Sequence, residues 1–307
     1  MHHQRLQPAG HPAPERTADH GLAARLRGHV EQLAGIIGER NVLRPRALAA
    51  AADYIRSEWQ RQAYLVAAQG YQVGDLWCEN LVIEIKGQAQ PNEIILLGAH
   101  YDSIHDSPGA DDNASGVAAL LELSKLLIGF QPGRTLRLAA FVNEEPPFFY
   151  WGRMGSNEYA TAARARGENI SLMLSLEMLG YYDDKSGSQG YPPLLRHFYP
   201  DRGNFIGFVS NLGSRQGLQD VSSAFSAHSD FPCERLATFA WMPGVAWSDQ
   251  ISFWRMGYPG VMVTDTAFYR NPHYHSATDT PETLDYGRMA EVVEGLAGAI
   301  VDLAGSP

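Results

Sequence analysis

Short apolar runs alternate with segments of helical pattern along most of the chain, and this alternation constrains the fold more than any other feature. Runs rich in Ile, Leu, Val and Phe predict strands at residues 80–86, 93–98, 136–142, 172–179, 204–209 and 261–264. Apolar residues at helical spacing predict helices at residues 114–128, 155–166 and 281–303 and, with a break near Pro45, over residues 21–69. Strands that alternate with helices predict an α/β fold in which helices cover both faces of a central sheet.

One domain accounts for most of the chain. No internal repeat or low-complexity linker interrupts residues 21–307, so we predict a single domain over that range. Residues 1–20 carry several His and Pro residues, and we predict that they form a disordered tail. This stretch lacks the apolar segment of a secretory signal. The sequence as it stands therefore predicts a cytoplasmic location, or a secreted or periplasmic one if a leader has been removed.

The charge balance and the cysteine content exclude several classes of protein. The chain has 24 Lys and Arg against 34 Asp and Glu, a net charge of −10, which argues against a nucleic-acid partner. No apolar run approaches the roughly 18 residues of a membrane span, so no membrane partner is predicted. Cys78 and Cys233 are too few for a disulfide scaffold or a zinc finger, and we expect them to stay unpaired.

Side chains that bind metals recur at five places, most of them at the predicted ends of strands. They are His100 with Asp102, Asp111 with Asp112, Glu144 with Glu145, Glu177, and His275. Ligands of α/β sheets bind beyond the carboxyl ends of the strands, so we expect these side chains to meet there. His, Asp and Glu without Cys fit zinc or a similar divalent ion. Five ligands that include one bridging carboxylate would hold two ions and leave the other Glu of the pair as a base.

Each of these residues also has an ordinary structural explanation. Asp111 or Asp112 could cap the helix that follows, and the Glu pair could be a solvated turn. Glu177 resists this kind of explanation, because a carboxylate inside an apolar strand costs several kcal/mol unless it is paired or metal-bound. All the ordinary explanations would have to hold together, so we favour the metal site.

The order of these motifs resembles that of the M28 family of co-catalytic zinc exopeptidases. The resemblance runs from about residue 80 to 285 and rests on four motifs. These are His100-x-Asp102, the Gly-Ala-Asp-Asp-Asn-Ala-Ser-Gly block at 109–116, Glu144-Glu145, and Tyr274-His275. It implies a three-layer α/β/α fold of the zinc exopeptidase type with a central mixed, mostly parallel sheet. It also implies a metallo-aminopeptidase whose substrate is a peptide with a free N-terminus.

The resemblance further implies a role for each site residue. Two Zn²⁺ ions would bind, with Co²⁺ or Mn²⁺ as substitutes, one held by His100, Asp111 and Glu177 and the other by Asp111, Glu145 and His275. Asp111 would bridge the ions, and a cis peptide bond would follow it, between Asp111 and Asp112. Glu144 would be the general base and acid, and Asp102 would orient His100. Tyr274 is a candidate donor to the oxyanion.

Two segments depart from the family pattern. Ser248-Asp249-Gln250 stands where the family has Ser-Asp-His, so the role of that His is missing here. The loop Pro146–Arg153 is longer and more aromatic than the family's turn, which indicates either a lip over the cleft or a packed surface loop. A group of late aromatic residues, which would serve either as core or as an apolar substrate pocket, comprises Trp241, Trp247, Phe253, Trp254, Phe268 and Tyr269.

Three other functions compete with the aminopeptidase. A glutaminyl cyclase-like acyltransferase shares the fold but uses one zinc, and a non-catalytic binding module would have lost metal ligands. A carboxypeptidase of the same fold would need basic residues for the substrate carboxylate, and the motif neighbourhoods offer only Arg153, Arg255 and Arg270. The excess of carboxylates instead suits a cationic α-amine, so we favour the aminopeptidase.

Overall fold

An eight-stranded mixed sheet lies at the centre of the computed structural model, which describes residues 20–192 and 195–305. The predicted tail lies outside the described residues except for His20. The strands are β1 Ala67–Val73, β2 Leu76–Ile85, β3 Gln90–His100, β4 Arg134–Phe141, β5 Asn169–Glu177, β6 Ile206–Asn211, β7 Cys233–Thr238 and β8 Gly260–Thr264. The helices are α1 His20–Val30, α2 Pro45–Arg61, α3 Gly116–Leu126, α4 Phe148–Trp151, α5 Gly155–Ala165, α6 Arg215–His228, α7 Gln250–Arg255 and α8 Tyr286–Ala304.

The strand order across the sheet is β1-β2-β4-β3-β5-β8-β6-β7. The pairs β3/β4, β3/β5, β5/β8 and β6/β7 are parallel, and β1/β2, β2/β4 and β6/β8 are antiparallel. This sheet confirms the predicted α/β class. Sequence patterns missed β1 and β7, which lie at the two edges. β1 reads Ala-Ala-Gln-Gly-Tyr-Gln-Val and has no fully buried residue, so it lacks the apolar run by which the inner strands were found.

Alternate residues of the inner strands enter two separate cores. On β3, Ile95 and Leu97 pack into the larger core, together with apolar residues of α1, α2, α3, α6 and α8. Ile94 and Leu96 enter the smaller core on the opposite face, with residues of α5 and α7. Because both faces of the central strands are covered, those strands are apolar throughout, as parallel strands commonly are.

The N-terminal helices are part of the same domain core. Trp59 on α2 is fully buried, and its indole N–H donates to the Ser124 hydroxyl at 3.1 Å. Glu122 on α3, also buried, accepts from Arg25 and pairs with His29, both on α1. Residues 20–61 therefore pack on the face of the sheet that α3 and α8 cover.

Two of the composition-based expectations concern features that the structure describes. Cys78 on β2 and Cys233 on β7 are both free, and several strands separate them in the sheet. No helix in the described ranges is long and apolar enough to cross a membrane.

Candidate metal centre

The candidate ligands come together at one edge of the sheet, where four neighbouring parallel strands end. His100 is the last residue of β3 and Glu177 is the last residue of β5. Glu144 and Glu145 follow β4 by three and four residues, and His275 lies in the loop after β8. Because β4, β3, β5 and β8 are mutually parallel, their carboxyl ends bring these side chains together from distant parts of the sequence.

Asp112 lies between the two histidines. Its Oδ1 is 3.3 Å from Nε2 of His100, which is itself 3.4 Å from Oε2 of Glu177. Its Oδ2 is 3.1 Å from Nε2 of His275, and that nitrogen is 3.4 Å from Oε2 of Glu145. Two three-residue groups thus share Asp112, and within each group the ligand atoms lie within 4.8 Å of one another.

Asp111, the residue expected to bridge two ions, does not belong to either ligand group; its neighbour Asp112 belongs to both. The Asp111 carboxylate turns away from both histidines and accepts hydrogen bonds from the backbone N–H of Gly180 at 2.9 Å and from Nδ2 of Asn271 at 2.7 Å. It also lies beside the Asp265 carboxyl group, which together with burial raises the pKa of Asp111. The position between the two histidines is therefore occupied by Asp112.

The backbone of this segment explains the difference. Asp279 accepts hydrogen bonds from the N–H of Asp111 at 2.9 Å and of Asp112 at 3.1 Å, so one carboxylate holds both residues. Asp112 has φ −104° and ψ 89°, which is not helical, and the side chains of the two residues leave the chain in different directions. The cis peptide bond, expected after Asp111, also lies one residue later, between Asp112 and Asn113.

Asp102 holds the Glu144-Glu145 turn. Its two carboxylate oxygens each accept one backbone N–H, that of Glu144 and that of Glu145, both at 3.1 Å. Its Oδ1 also lies 3.5 Å from Nδ1 of His100, which is the arrangement expected for a residue that orients this imidazole. Asp102 therefore links the end of β3 to the turn after β4.

Buried charge of one sign dominates the site. Burial raises the pKa of Glu144 well above its ordinary value; His100 limits the rise, and Glu177 and Glu145 add to it. Burial likewise raises the pKa of Glu145 to about 7. Burial alone would lower the pKa of His275, but hydrogen bonds to Asp112 and Glu145 outweigh it and raise the pKa to about 10. Positive charge placed among these carboxylates would favour their ionised forms.

A divalent cation fits these donors. Both ring nitrogens of the fully buried His100, and Oε1 of Glu145, lack a hydrogen-bond partner in the described part of the chain. Buried polar atoms are normally satisfied, so orphaned atoms on a residue of each ligand group indicate a missing partner. Imidazole and carboxylate without thiolate are ligands of zinc and related ions.

Ser248 forms a hydrogen bond with the candidate ligand Glu177. Its hydroxyl donates to Oε2 of Glu177 at 2.6 Å and is 3.1 Å from the hydroxyl of Ser175. The next residue, Asp249, is fully buried, and neither of its oxygens has a hydrogen-bond partner of good geometry among the described residues. Gln250, at the position of the family's His, donates to the carbonyl of Val245 at 3.0 Å. The sequence did not single out Ser248 as a partner of Glu177.

An apolar cavity opens beside the site. Glu177 and Tyr274 lie in its wall, together with aromatic residues of which Trp247, Phe268 and Tyr269 belong to the group noted in the sequence. The Tyr274 ring stacks on that of His275, with centroids 3.7 Å apart. Phe253, by contrast, lies in the smaller core, and Trp241 is mostly exposed. The late aromatic residues noted in the sequence therefore lie in three different places: the cavity wall, the smaller core and the surface.

The loop Pro146–Arg153 contains the single turn of α4. Phe148 is buried, whereas Tyr150 and Trp151 are 77% and 67% exposed. The arginines near the motifs are engaged away from the ligands. Arg153 donates to the carbonyl of Gln72, and Arg270 is buried over the Phe205 ring.

The chain is similar in sequence to known proteins. The chain is 36% identical over 289 residues to the “Uncharacterized protein YfbL” of Escherichia coli, a match that covers 91% of this chain and 88% of that one. It is 28% identical over 238 residues to the “Probable aminopeptidase YDR415C” of Saccharomyces cerevisiae, covering 73% of this chain and 57% of the yeast protein. The chain thus spans little more than half the length of the yeast relative.

Solved structures share the fold. The zinc aminopeptidase BSAP of Bacillus subtilis has a TM-score of 0.71 at 15% identity, over 92% of this chain and 95% of that one. A glutaminyl cyclase of Bacteroides thetaiotaomicron has a TM-score of 0.68 at 18% identity, over 91% and 97%. The sequence profile described as “Peptidase family M28” matches residues 80–300. Together these matches confirm the predicted family, fold class and enzyme class, a hydrolase of the metallo-aminopeptidase type, and the chain belongs to peptidase family M28.

Proposed function

We propose that this chain is an aminopeptidase that binds two zinc ions and removes the N-terminal residue of peptides. One observation carries the proposal: Asp112 offers one carboxylate oxygen to each of two His-containing groups. His100, Asp112 and Glu177 would hold one ion, and Asp112, Glu145 and His275 the other. Bound zinc would supply a water acidified toward neutral pH and a Lewis acid for the scissile carbonyl.

Glu144 is the general base and acid in this proposal. Its Oε2 lies 3.9 Å from Nε2 of His100, and it belongs to neither ligand group. Burial raises its pKa well above that of an exposed Glu, which makes it a better acceptor for the proton of the attacking water. Glu144 would accept a proton from the attacking water and deliver it to the leaving amine.

Tyr274 is the proposed donor to the carbonyl oxygen of the scissile bond. Its ring stacks on His275, and it lies in the wall of the same cavity as Glu177. Burial raises the pKa of its hydroxyl, so the proton stays on the oxygen and remains available for a hydrogen bond. A donor aimed at the developing negative charge would stabilise the transition state.

The surroundings of the site favour a free amine at the substrate's N-terminus. Carboxylates outnumber cations around the ligands, so the local field attracts a protonated amine. Arg270, one of the three arginines available to a carboxypeptidase for a substrate carboxylate, is buried and bonded to Gln189. The apolar cavity lined by Trp247 and Phe268 would receive the N-terminal side chain.

Metal content and substrate blocking test this proposal together. We expect two zinc ions per chain, loss of hydrolysis of leucine p-nitroanilide on chelation, and recovery when zinc is returned. N-acetyl-leucine p-nitroanilide should resist cleavage, because its amine carries no charge. Equal cleavage of the acetylated and free substrates would contradict the aminopeptidase assignment. One zinc per chain, with cyclisation of N-terminal Gln peptides, would identify a glutaminyl cyclase instead.

A further inference from the structure

Arg40 lies outside the segment that matches the family profile, yet its side chain bonds to the loop that connects two of the candidate ligands, His100 and Asp112. It precedes residue 80, where that match begins. It lies in the chain segment that connects α1 to α2, and its side chain is fully buried. A fully buried Arg is uncommon, because its charge and five N–H donors must be satisfied inside the protein. The partners of this guanidinium therefore indicate what it does.

The guanidinium donates to backbone carbonyls of the loop that connects β3 to the Asp112 segment. Nε donates to the carbonyl of Tyr101 at 2.7 Å, and Nη2 to that of Gly109, also at 2.7 Å. Nη1 donates to the carbonyl of Pro108 and, at 3.3 Å, to that of Gly38. One planar group thus spans the loop from its first residue to its last.

The backbone around Arg40 reinforces this contact. The N–H of Arg40 donates to the Ser103 hydroxyl at 3.1 Å, and its carbonyl accepts the N–H of Ser103 at 3.0 Å. The Ser103 hydroxyl in turn donates to the carbonyl of Ser107 at 2.9 Å. Asn41 adds a bond from Nδ2 to the carbonyl of Ser103 at 3.1 Å. We call residues 40–41 with residues 101–109 the Arg40 clamp.

The clamp lies between two of the candidate ligands along the chain. His100 immediately precedes it, and Asp112 follows it by three residues. The carboxylates that act most strongly on the guanidinium charge belong to the site and its support, with Asp102 first and Asp279 and Asp112 next. The distance of 3.3 Å between His100 and Asp112 therefore depends on the path of a loop that Arg40 ties down at both ends.

We propose that Arg40 is a positioning residue that sets the separation of His100 and Asp112 and so the zinc affinity of the centre. This inference rests on the proposed function. The inference rests on the planar fork of N–H donors in the guanidinium. A positive charge alone acts on the site in two opposing ways: it favours ionised carboxylates but repels a bound cation. Lys retains the charge but lacks the planar fork, so Arg40→Lys separates the two contributions.

Three variants of the full-length chain test the proposal. Arg40→Met and Arg40→Lys should each bind zinc about 10-fold or more weakly, measured by competition with a chromogenic chelator, as is typical for residues that support metal ligands. Their kcat should fall by a similar factor with KM within about threefold of wild type. The control is Trp59→Phe, a buried change in the same N-terminal segment whose hydrogen bond goes to Ser124, outside the clamp. It should lower the melting temperature yet keep zinc affinity within about twofold of wild type.

The outcomes separate the alternatives. Wild-type zinc affinity in Arg40→Met would overturn the positioning role. An equal loss of zinc affinity in Trp59→Phe, at matched melting temperature, would overturn it too. Full zinc affinity in Arg40→Lys would show that the planar geometry of the guanidinium is not what matters. If Arg40→Met does not fold, Ser103→Ala tests the same clamp more gently and should weaken zinc binding about two- to fivefold; unchanged binding would count against the proposal. A wild-type chain that binds no zinc would overturn the proposed function and this inference with it, whereas zinc binding that is indifferent to Arg40 overturns this inference alone.

Discussion

Asp112 faces His275 across 3.1 Å, from Oδ2 to Nε2, while its neighbour Asp111 bonds to Gly180 and Asn271 on the other side of the chain. Two adjacent carboxylates of the same type thus have different surroundings. One is oriented toward a set of open ligand atoms, and the other has its hydrogen bonds satisfied by the protein. Substitutions at these two positions should therefore have different consequences.

Asp112→Asn should abolish both ion sites, because it removes the only carboxylate that the two ligand groups share. We expect kcat/KM to fall about 10³-fold or more, the equivalent of several kcal/mol of lost stabilisation. Asp111→Asn is the matched control, since it makes the same change one residue away, in a side chain that bonds to Gly180 and Asn271 and belongs to neither ligand group. It should retain two zinc ions per chain in elemental analysis. The reverse pattern would restore Asp111 as the bridging residue.

Glu144→Gln tests the general base. We expect kcat to fall about 10²- to 10⁴-fold with the zinc content unchanged, because Glu144 lies near the ligand groups without belonging to them. Steady-state kinetics and metal analysis on the same preparation measure both effects. A variant that loses zinc along with activity would show that Glu144 is a ligand, and unchanged kcat would exclude it as the base.

Ser248→Ala should weaken the ion site that contains Glu177. The lost hydrogen bond is short and buried, and without it Glu177 is free to leave its present orientation. We expect about 10-fold weaker binding of one of the two zinc ions, measured by chelator competition. Ser252→Ala is the control, because Ser252 pairs with Ser156 in a buried contact that includes no ligand. Equal effects of the two substitutions would argue for general destabilisation.

Asp249 should make the metal-free protein less stable as the pH rises. Burial raises the pKa of Asp249 to about 7, above the value of about 3.9 in an unfolded chain. An acid whose pKa is raised in the native state holds its proton more tightly there, so stability declines between about pH 4 and pH 7 and stays low above that. Asp249→Asn cannot ionise. We expect it to raise the stability at pH 8 by on the order of a few kcal/mol and to change it little at pH 4.5.

Thermal unfolding of the metal-free chain at the two pH values checks this expectation. Asp75→Asn, an exposed substitution in the turn between β1 and β2, is the control and should change little at either pH. A gain in Asp249→Asn of equal size at both pH values would mean that ionisation is not the cause. A loss at pH 8 would mean that the charged carboxylate is stabilised by a partner.

Apolar patterning was sufficient to predict the inner sheet, and residue chemistry singled out most of the side chains that the structure brings together at the candidate site. The inner strands are covered on both faces, so each stands out as an apolar run, whereas β1 at the edge does not. Glu177 was identified because a carboxylate within such a run is costly. Trp247 and Phe253 belong to the same aromatic stretch of sequence, yet one lines the cavity and the other lies in a core.

The sequence by itself determined the inner strands and which side chains are able to bind metal, because both follow from local pattern and residue chemistry. The tertiary structure alone decided that Asp112 rather than Asp111 faces the histidines. That choice depends on Asp279, which accepts backbone N–H groups of both residues, and on Asn271, which donates to Asp111; both lie more than 150 residues further along the chain. The tertiary structure also placed Arg40 against the loop between His100 and Asp112. Its partners are backbone carbonyls, which every residue carries, so the residue identities around the contact gave no sign of it.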